Sequence, residues 1–206
     1  IVKNLTVRSV NGASSTVIEG PGTNAYGTAG AMRCVYMTNG VLSGFTLRGG
    51  ATRSSYNDIN SYGGGVYAAG GSVENCVIAT NRAKCGGGTI YTALRACAII
   101  GNTASDGGGT HSGTLDNCRV AGNAADYGGG SYFSTLRNCT VAGNTAAVAA
   151  GGVYNTYSYR PYNCAVWGNR LGGVTNDCYN TSYAYYTCAS GLPTANGCTN
   201  ANPLFV

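Results

Sequence analysis

The sequence predicts an all-β fold, a right-handed parallel β-helix with about 21 residues per coil and three short strands per coil. Three observations support this prediction. Glycine supplies 34 of the 206 residues and often comes in triplets, cysteines recur at a nearly constant interval, and an asparagine follows each of these cysteines within its repeat. A constant interval is typical of a solenoid, because one coil cannot bury its own inner face whereas stacked coils can.

The composition excludes several other classes of protein. Only 9% of the residues are charged, against roughly 25% in an average globular chain, which excludes the usual highly charged disordered chain. The glycines lack the strict period of collagen. No apolar run reaches the length of about 18 residues that a transmembrane helix needs, so we expect no membrane span. The net charge of +5 comes from scattered residues, so we expect no nucleic-acid partner.

Within each repeat, the alternation of side chains is that of short strands separated by corners. In one unit, Cys118 and Val120 point inward, and Asn117 suits a left-handed corner. Stacking places equivalent residues above one another about 4.8 Å apart. The predicted cysteine column is Cys76, Cys97, Cys118, Cys139 and Cys164, and the predicted asparagine column is Asn81, Asn102, Asn123, Asn144 and Asn169. Both columns are interpreted as structural.

We expect one β-helix domain over residues 1–206, as a segment of a larger protein. Residues 1–62 would form irregular opening coils, 63–163 the regular repeats, and 164–206 degenerate coils rich in tyrosine and cysteine. The other cysteines lie off the predicted column, and if a disulfide forms, Cys178 with Cys198 is the favoured pair. Metal-binding CxxC pairs and glycine-rich calcium repeats are missing, so we expect no metal site and no cofactor.

Two short motifs resemble those of a known group. Gly-Gly-Val-Tyr at 64–67 and Ile-Ala-Thr-Asn at 78–81 resemble the GGAI and FxxN pairs of polymorphic outer-membrane-protein repeats, with an aliphatic residue in place of the phenylalanine. The chain is therefore similar to bacterial surface proteins with right-handed parallel β-helix repeats, within the wider pectate-lyase-like superfamily. The resemblance implies an extracellular or cell-surface location and a non-catalytic structural or adhesive role. Self-association along the helix axis into fibres and binding of glycans or a cell-surface partner are the expected activities.

The alternative is a polysaccharide lyase or a glycoside hydrolase, because β-helix enzymes of similar architecture act on acidic polysaccharides with clustered aspartates. Asp106 and Asp126 are the candidates, since they fall in adjacent coils just before glycine triplets. A carboxylate pair for glycoside hydrolysis must lie roughly 5–10 Å apart in a cleft. Two acids at a corner are more commonly part of a solvated surface, so the sequence favours a protein without catalysis.

Tyrosine is the most suggestive surface residue, because it combines a flat apolar face with a polar tip. Such side chains suit the binding of sugars or partner proteins. The alternative is that these tyrosines only cover the C-terminal coils. The predicted binding surface consists of Tyr154, Tyr157, Tyr159, Tyr162, Tyr183 and Tyr185.

Overall fold

The computed structural model describes residues 1–56, 58–154, 160–179, 184–192 and 194–201. It is a parallel β-solenoid with three strands per coil, which confirms the predicted fold class. Three parallel sheets of seven, eight and seven strands form its sides. In the regular part, equivalent residues are 21 positions apart, as predicted, and the next interval is 25.

The strands are short, and each sheet takes one strand from each successive coil. Sheet 1 consists of β1 (Thr6–Arg8), β4 (Val41–Ser43), β7 (Ser72–Glu74), β10 (Ala93–Arg95), β13 (Thr114–Asp116), β17 (Thr135–Arg137) and β21 (Pro161–Tyr162). Sheet 2 consists of β2 (Val17–Glu19), β5 (Thr46–Arg48), β8 (Val77–Ala79), β11 (Ala98–Ile100), β14 (Arg119–Ala121), β18 (Thr140–Ala142), β22 (Ala165–Trp167) and β26 (Cys188–Ala189).

The third side and a shorter fourth sheet complete the coils. Sheet 3 consists of β3 (Val35–Met37), β6 (Val66–Ala68), β9 (Thr89–Ile90), β12 (Thr110–His111), β16 (Ser131–Tyr132), β20 (Val153–Tyr154) and β25 (Cys178–Tyr179). Sheet 4 consists of β15 (Ala124–Tyr127), β19 (Thr145–Ala149), β23 (Arg170–Leu171) and β24 (Val174–Thr175). Short 3₁₀ turns lie at Thr23–Ala25, Ile59–Ser61 and Ala195–Gly197.

Left-handed backbone conformations turn the chain at the corners. Asn117 has a φ of 52°, as its position between two strands predicted, and Gly122 has a φ of 63° at the next corner. Gly128, the first glycine of a triplet, turns the chain with a φ of 61°. Asparagine and glycine adopt this region at the lowest cost, which explains their recurrence at these places.

The core is a stack of inward aliphatic side chains. Leu115 of sheet 1 and Val120 of sheet 2 are fully buried, and the equivalent residues of neighbouring coils lie directly above and below them. Burying one such side chain contributes about 1.5–3 kcal/mol. At the N-terminal edge, by contrast, the inward residues Val7 and Ile18 are only partly buried.

In the structure, the asparagines of the predicted column form a continuous chain of buried hydrogen bonds. The side-chain oxygen of Asn123 accepts from the backbone N–H and the side-chain amide of Asn102, at 2.9 and 3.0 Å. Asn123 donates in the same two ways to Asn144, both at 2.9 Å. Each asparagine side chain donates to the asparagine of the following coil. The last asparagine of the column, at the C-terminal end, therefore needs an acceptor from outside the column. We call this end of the column its donor end.

Asp177, a residue that the sequence reading did not place, terminates this donor end. One of its carboxylate oxygens accepts from the backbone and the side chain of Asn169, both at 2.9 Å. The other accepts from the backbone and the hydroxyl of Ser190. Asp177 is 1% exposed, so these four donors replace the water molecules that its carboxyl group would otherwise bind.

The predicted cysteine column also lines the interior. Its members, Cys76, Cys97, Cys118, Cys139 and Cys164, are 2–4% exposed. All ten cysteines are free, so the favoured disulfide between Cys178 and Cys198 is not formed. The column thiols pack as small apolar groups, and several also donate to the carbonyl oxygen two residues earlier, as Cys118 does to Asp116 at 3.2 Å.

Candidate ligand-binding groove

A groove of about 670 Å³ opens on the outer face of sheet 1, near its C-terminal end. It is open to solvent, and none of the described residues that line it is acidic. A shallow open site of this kind suits an extended ligand better than a small molecule that must be enclosed. Its lining residues are Thr135, Arg137, Asn138, Arg160, Tyr162 and Tyr185.

The strand register brings these side chains together. Leu136 is fully buried, so the alternation of a strand turns Thr135 and Arg137 outward. Arg137 pairs with Tyr162 in the next coil, and Tyr162 pairs with Tyr185 in the coil after that. The three side chains therefore form one outward row, in which each comes from a different coil.

A second row beside the first contains the other arginine. Arg160 directly precedes Pro161, the register partner of Leu136, so it lies beside Thr135. Its guanidinium carbon is 5.8 Å from the centroid of the Tyr185 ring, within the range of a cation–π contact. Arg137 forms no ion pair with any residue that the structure describes. The lining of the groove therefore contains two guanidinium groups beside two aromatic rings.

Asn138 closes one side of the groove through the outer asparagine corners. Its backbone has a φ of 53°, and its side-chain oxygen accepts from the amide of Asn163 at 2.8 Å. Its own amide donates to Asp116 at 3.2 Å. These hydrogen bonds to Asn163 and to the carboxylate of Asp116 hold Asn138 in place, so this wall of the groove is fixed before a ligand arrives.

The predicted tyrosine surface is divided between different places. Tyr162 and Tyr185 lie in the groove, whereas Tyr154 lies on sheet 3. Tyr157, Tyr159 and Tyr183 lie outside the described residues. The sequence reading missed Arg137 and Arg160; the signal that could have found them is the row that Arg137 shares with Tyr162.

Tyr154 belongs to a separate aromatic column on the outer face of sheet 3. Its ring stacks on that of Tyr132 at 4.8 Å and on that of Tyr179 at 4.7 Å between centroids. Because both faces of the ring are covered by neighbouring rings, Tyr154 cannot present a face to a sugar. The column is thus better suited to fixing the stacking of coils than to binding a ligand.

His111 lies in the same column and is partly buried, which favours its neutral form. Its ring centroid is 5.0 Å from that of Tyr132, and its Nδ1 atom has no hydrogen-bond partner among the residues that the structure describes. Burial lowers the pKa of His111 to about 4. The unfolded side chain has a pKa of about 6.5, so the unfolded state binds more protons between these values.

We therefore expect acid to destabilise the fold through His111. The free energy of unfolding should fall by on the order of 3 kcal/mol as the pH drops from about 6.5 to 4, and the contribution is complete above that window. Urea unfolding at several pH values, compared with His111→Tyr, isolates this effect from the carboxylates. A wild-type protein with the same pH dependence as His111→Tyr would show that His111 does not contribute.

The structure brings the two predicted acids close enough to interact electrostatically. Asp106 is partly buried, and its pKa is raised, first by desolvation and further by the charge of Asp126. Lys84 and the thiol of Cys85 oppose this shift, with the thiol 3.6 Å from Asp106.

Lys84 also donates to the hydroxyl of Ser105 at 3.1 Å. Its pKa is raised by a hydrogen bond to Tyr56, so Lys84 remains protonated and does not activate that serine as a base would.

Within the described part of the chain, no group of three or more potential metal ligands converges. No helix in that part is long and apolar enough to cross a bilayer. Comparisons with protein-family models, curated proteins and solved structures found no match.

Proposed function

We propose that this chain is a non-catalytic, extracellular adhesive β-helix module that binds acidic glycans in the groove on sheet 1. The observation that carries the proposal is the convergence of Arg137, Arg160, Tyr162 and Tyr185 from successive coils. The resemblance to surface proteins with β-helix repeats supports the extracellular and adhesive part of the proposal.

The chemistry of the lining selects the ligand. A guanidinium group binds a carboxylate through two parallel hydrogen bonds, which a neutral sugar cannot reproduce. A tyrosine ring can pack on the apolar face of a sugar, and Tyr162 is 48% exposed. Asn138 and Thr135 add polar atoms for hydroxyl groups.

The architecture also suits an extended chain. The groove residues belong to three consecutive coils, whose spacing is fixed by the backbone ladder at about 4.8 Å. A repeating polymer can lie across such a row with little ordering of the protein, which keeps the entropic cost of binding low. Because both arginines are exposed, the interaction should weaken with added salt.

Replacing both groove arginines, as Arg137→Ala with Arg160→Ala, should weaken binding of an oligouronate about a hundredfold or more. Each charge-assisted hydrogen bond contributes about 1.5–3 kcal/mol, and a factor of ten corresponds to 1.4 kcal/mol. Isothermal titration calorimetry measures the change. Arg95→Ala is the matched control, since Arg95 is an exposed arginine on the same face of sheet 1 but two coils away. If Arg95→Ala weakened binding as much as the double substitution, binding would not be specific to the groove.

A polysaccharide lyase or hydrolase is the second candidate, favoured by the proximity of Asp106, Asp126 and Lys84. If this candidate were correct, a screen of acidic polysaccharides with and without calcium would detect cleavage, and Asp106→Asn with Asp126→Asn would abolish it. Our proposal predicts no cleavage by either protein. If the wild-type protein cleaves a polysaccharide and the doubly substituted protein does not, the function is catalysis and our proposal is wrong.

A further inference from the structure

The buried cysteine column has a property that packing alone does not require. Its five thiols occupy one position of the coil in consecutive turns, because the flanking strands of sheet 2 pair without a register shift. Along the run from Cys97 to Cys164, each thiol lies close enough to the next to influence its pKa. Phe45 continues the column at one end and Thr187 at the other, so the thiols form a bounded row.

The spacing of the row matches a particular coordination geometry. Parallel strands repeat every 4.7–4.9 Å. Two metal–sulfur bonds of about 2.3 Å, placed end to end, span about 4.6 Å. Neighbouring column sulfurs can therefore both reach a metal ion that sits between them in a straight line. The row supplies ligands only two at a time, in agreement with the lack of any converging group of three in the described residues.

Charge and softness narrow the choice of ion. Thiolates select soft cations, and ions that need four ligands, such as zinc in structural sites, do not fit a linear pair. Burial of a net charge is costly, and the column is surrounded by apolar residues of the core. A divalent ion with two thiolates is neutral, whereas a monovalent ion with two thiolates retains a negative charge.

We infer that the cysteine column is a binding site for soft divalent cations that accept two thiolates in a line, of which the mercuric ion is the type. In the binding step, two neighbouring thiols each lose a proton to solvent, and each sulfur forms one bond to Hg²⁺. The product is a neutral dithiolate that remains in the apolar wall. The five thiols contain at most two separate neighbouring pairs, so the column would hold up to two ions.

The test compares two proteins that have the same number of column thiols but differ in whether these thiols are adjacent. One protein carries Cys97→Val and Cys139→Val, which leaves three column thiols with none adjacent. Its matched control carries Cys76→Val and Cys164→Val, which leaves Cys97, Cys118 and Cys139 in an unbroken row. Both proteins also carry Cys178→Ser, because Cys178 lies within electrostatic range of Cys164. Circular dichroism checks that each protein is folded.

Mercuric chloride is titrated into each reduced protein, and X-ray absorption spectroscopy measures the number of sulfur ligands per mercury. We expect the unbroken row to bind one more mercury ion, with two sulfur ligands, than the interrupted row. Equal uptake by the two proteins, or mercury with one sulfur ligand in both, would overturn the inference. If the interrupted protein does not fold, the same comparison is made between the protein with Cys178→Ser alone, expected to hold two column ions, and the protein with the unbroken row, expected to hold one. Equal uptake there would also overturn it.

Discussion

Replacing Asn123 by leucine is expected to lower the free energy of unfolding by at least about 4 kcal/mol. The substitution removes the oxygen that accepts both the backbone and the side-chain N–H of Asn102, which are buried. It also removes the amide that donates to Asn144 and to the carbonyl of Ile99. Each buried donor left without a partner costs about 1–3 kcal/mol, so the losses accumulate at one position.

Asn117→Ala is the control for this prediction. Asn117 has the left-handed backbone of a corner but is exposed, and alanine already occupies the equivalent corner at Ala96, with a φ of 49°. We expect a loss of about 1 kcal/mol there, from the backbone alone. Urea denaturation of both proteins measures the difference, and similar losses would mean that the inner column does not stabilise the fold.

The second large effect is expected from Gly109, the last glycine of a triplet. A Cβ atom at this position would lie 2.4 Å from the carbonyl oxygen of Gly130 and 2.9 Å from a methyl group of Val120. Neither neighbour can move without disturbing the ladder between the coils. Gly109→Ala should therefore cost about 3 kcal/mol or more.

The matched control is Gly122→Ala, since a Cβ atom at Gly122 has no neighbour within 4 Å. Its φ of 63° is unfavourable for alanine, so we expect a cost of about 1 kcal/mol from backbone strain. The melting temperatures of the two proteins distinguish the cost of a steric clash between coils from the cost of backbone strain. If Gly122→Ala proved the more damaging of the two, the triplets would be needed for their turns rather than for the contact between coils.

The sequence was sufficient to predict the inner wall of the fold. Cysteine, aliphatic and asparagine positions recur at one interval, and burial of one face requires that equivalent residues stack. Asp177 could not be found in this way. The chain reaches it through an antiparallel hairpin of β23 and β24, turned by Gly172 and Gly173, which breaks the repeat interval.

The groove was only partly predictable for a related reason. The residue type of Tyr162 and Tyr185 is enough to predict a binding role, but nothing in the sequence distinguishes the two arginines beside them from other surface arginines. Only the pairing of Arg137 with Tyr162 across a 25-residue interval shows that they share a row. Conversely, Tyr154 resembles the groove tyrosines in sequence, although its ring is enclosed between two others on sheet 3.

The most direct test of glycan binding is an NMR titration that locates the ligand on the protein. An oligouronate is added to isotope-labelled protein, and the same oligosaccharide with methylated carboxylates serves as the uncharged control. We predict that the acidic ligand shifts the resonances of Arg137, Arg160 and Tyr162, and that the methyl ester shifts them far less. Equal shifts from both ligands, shifts confined to another face, or no shifts at all would contradict the account.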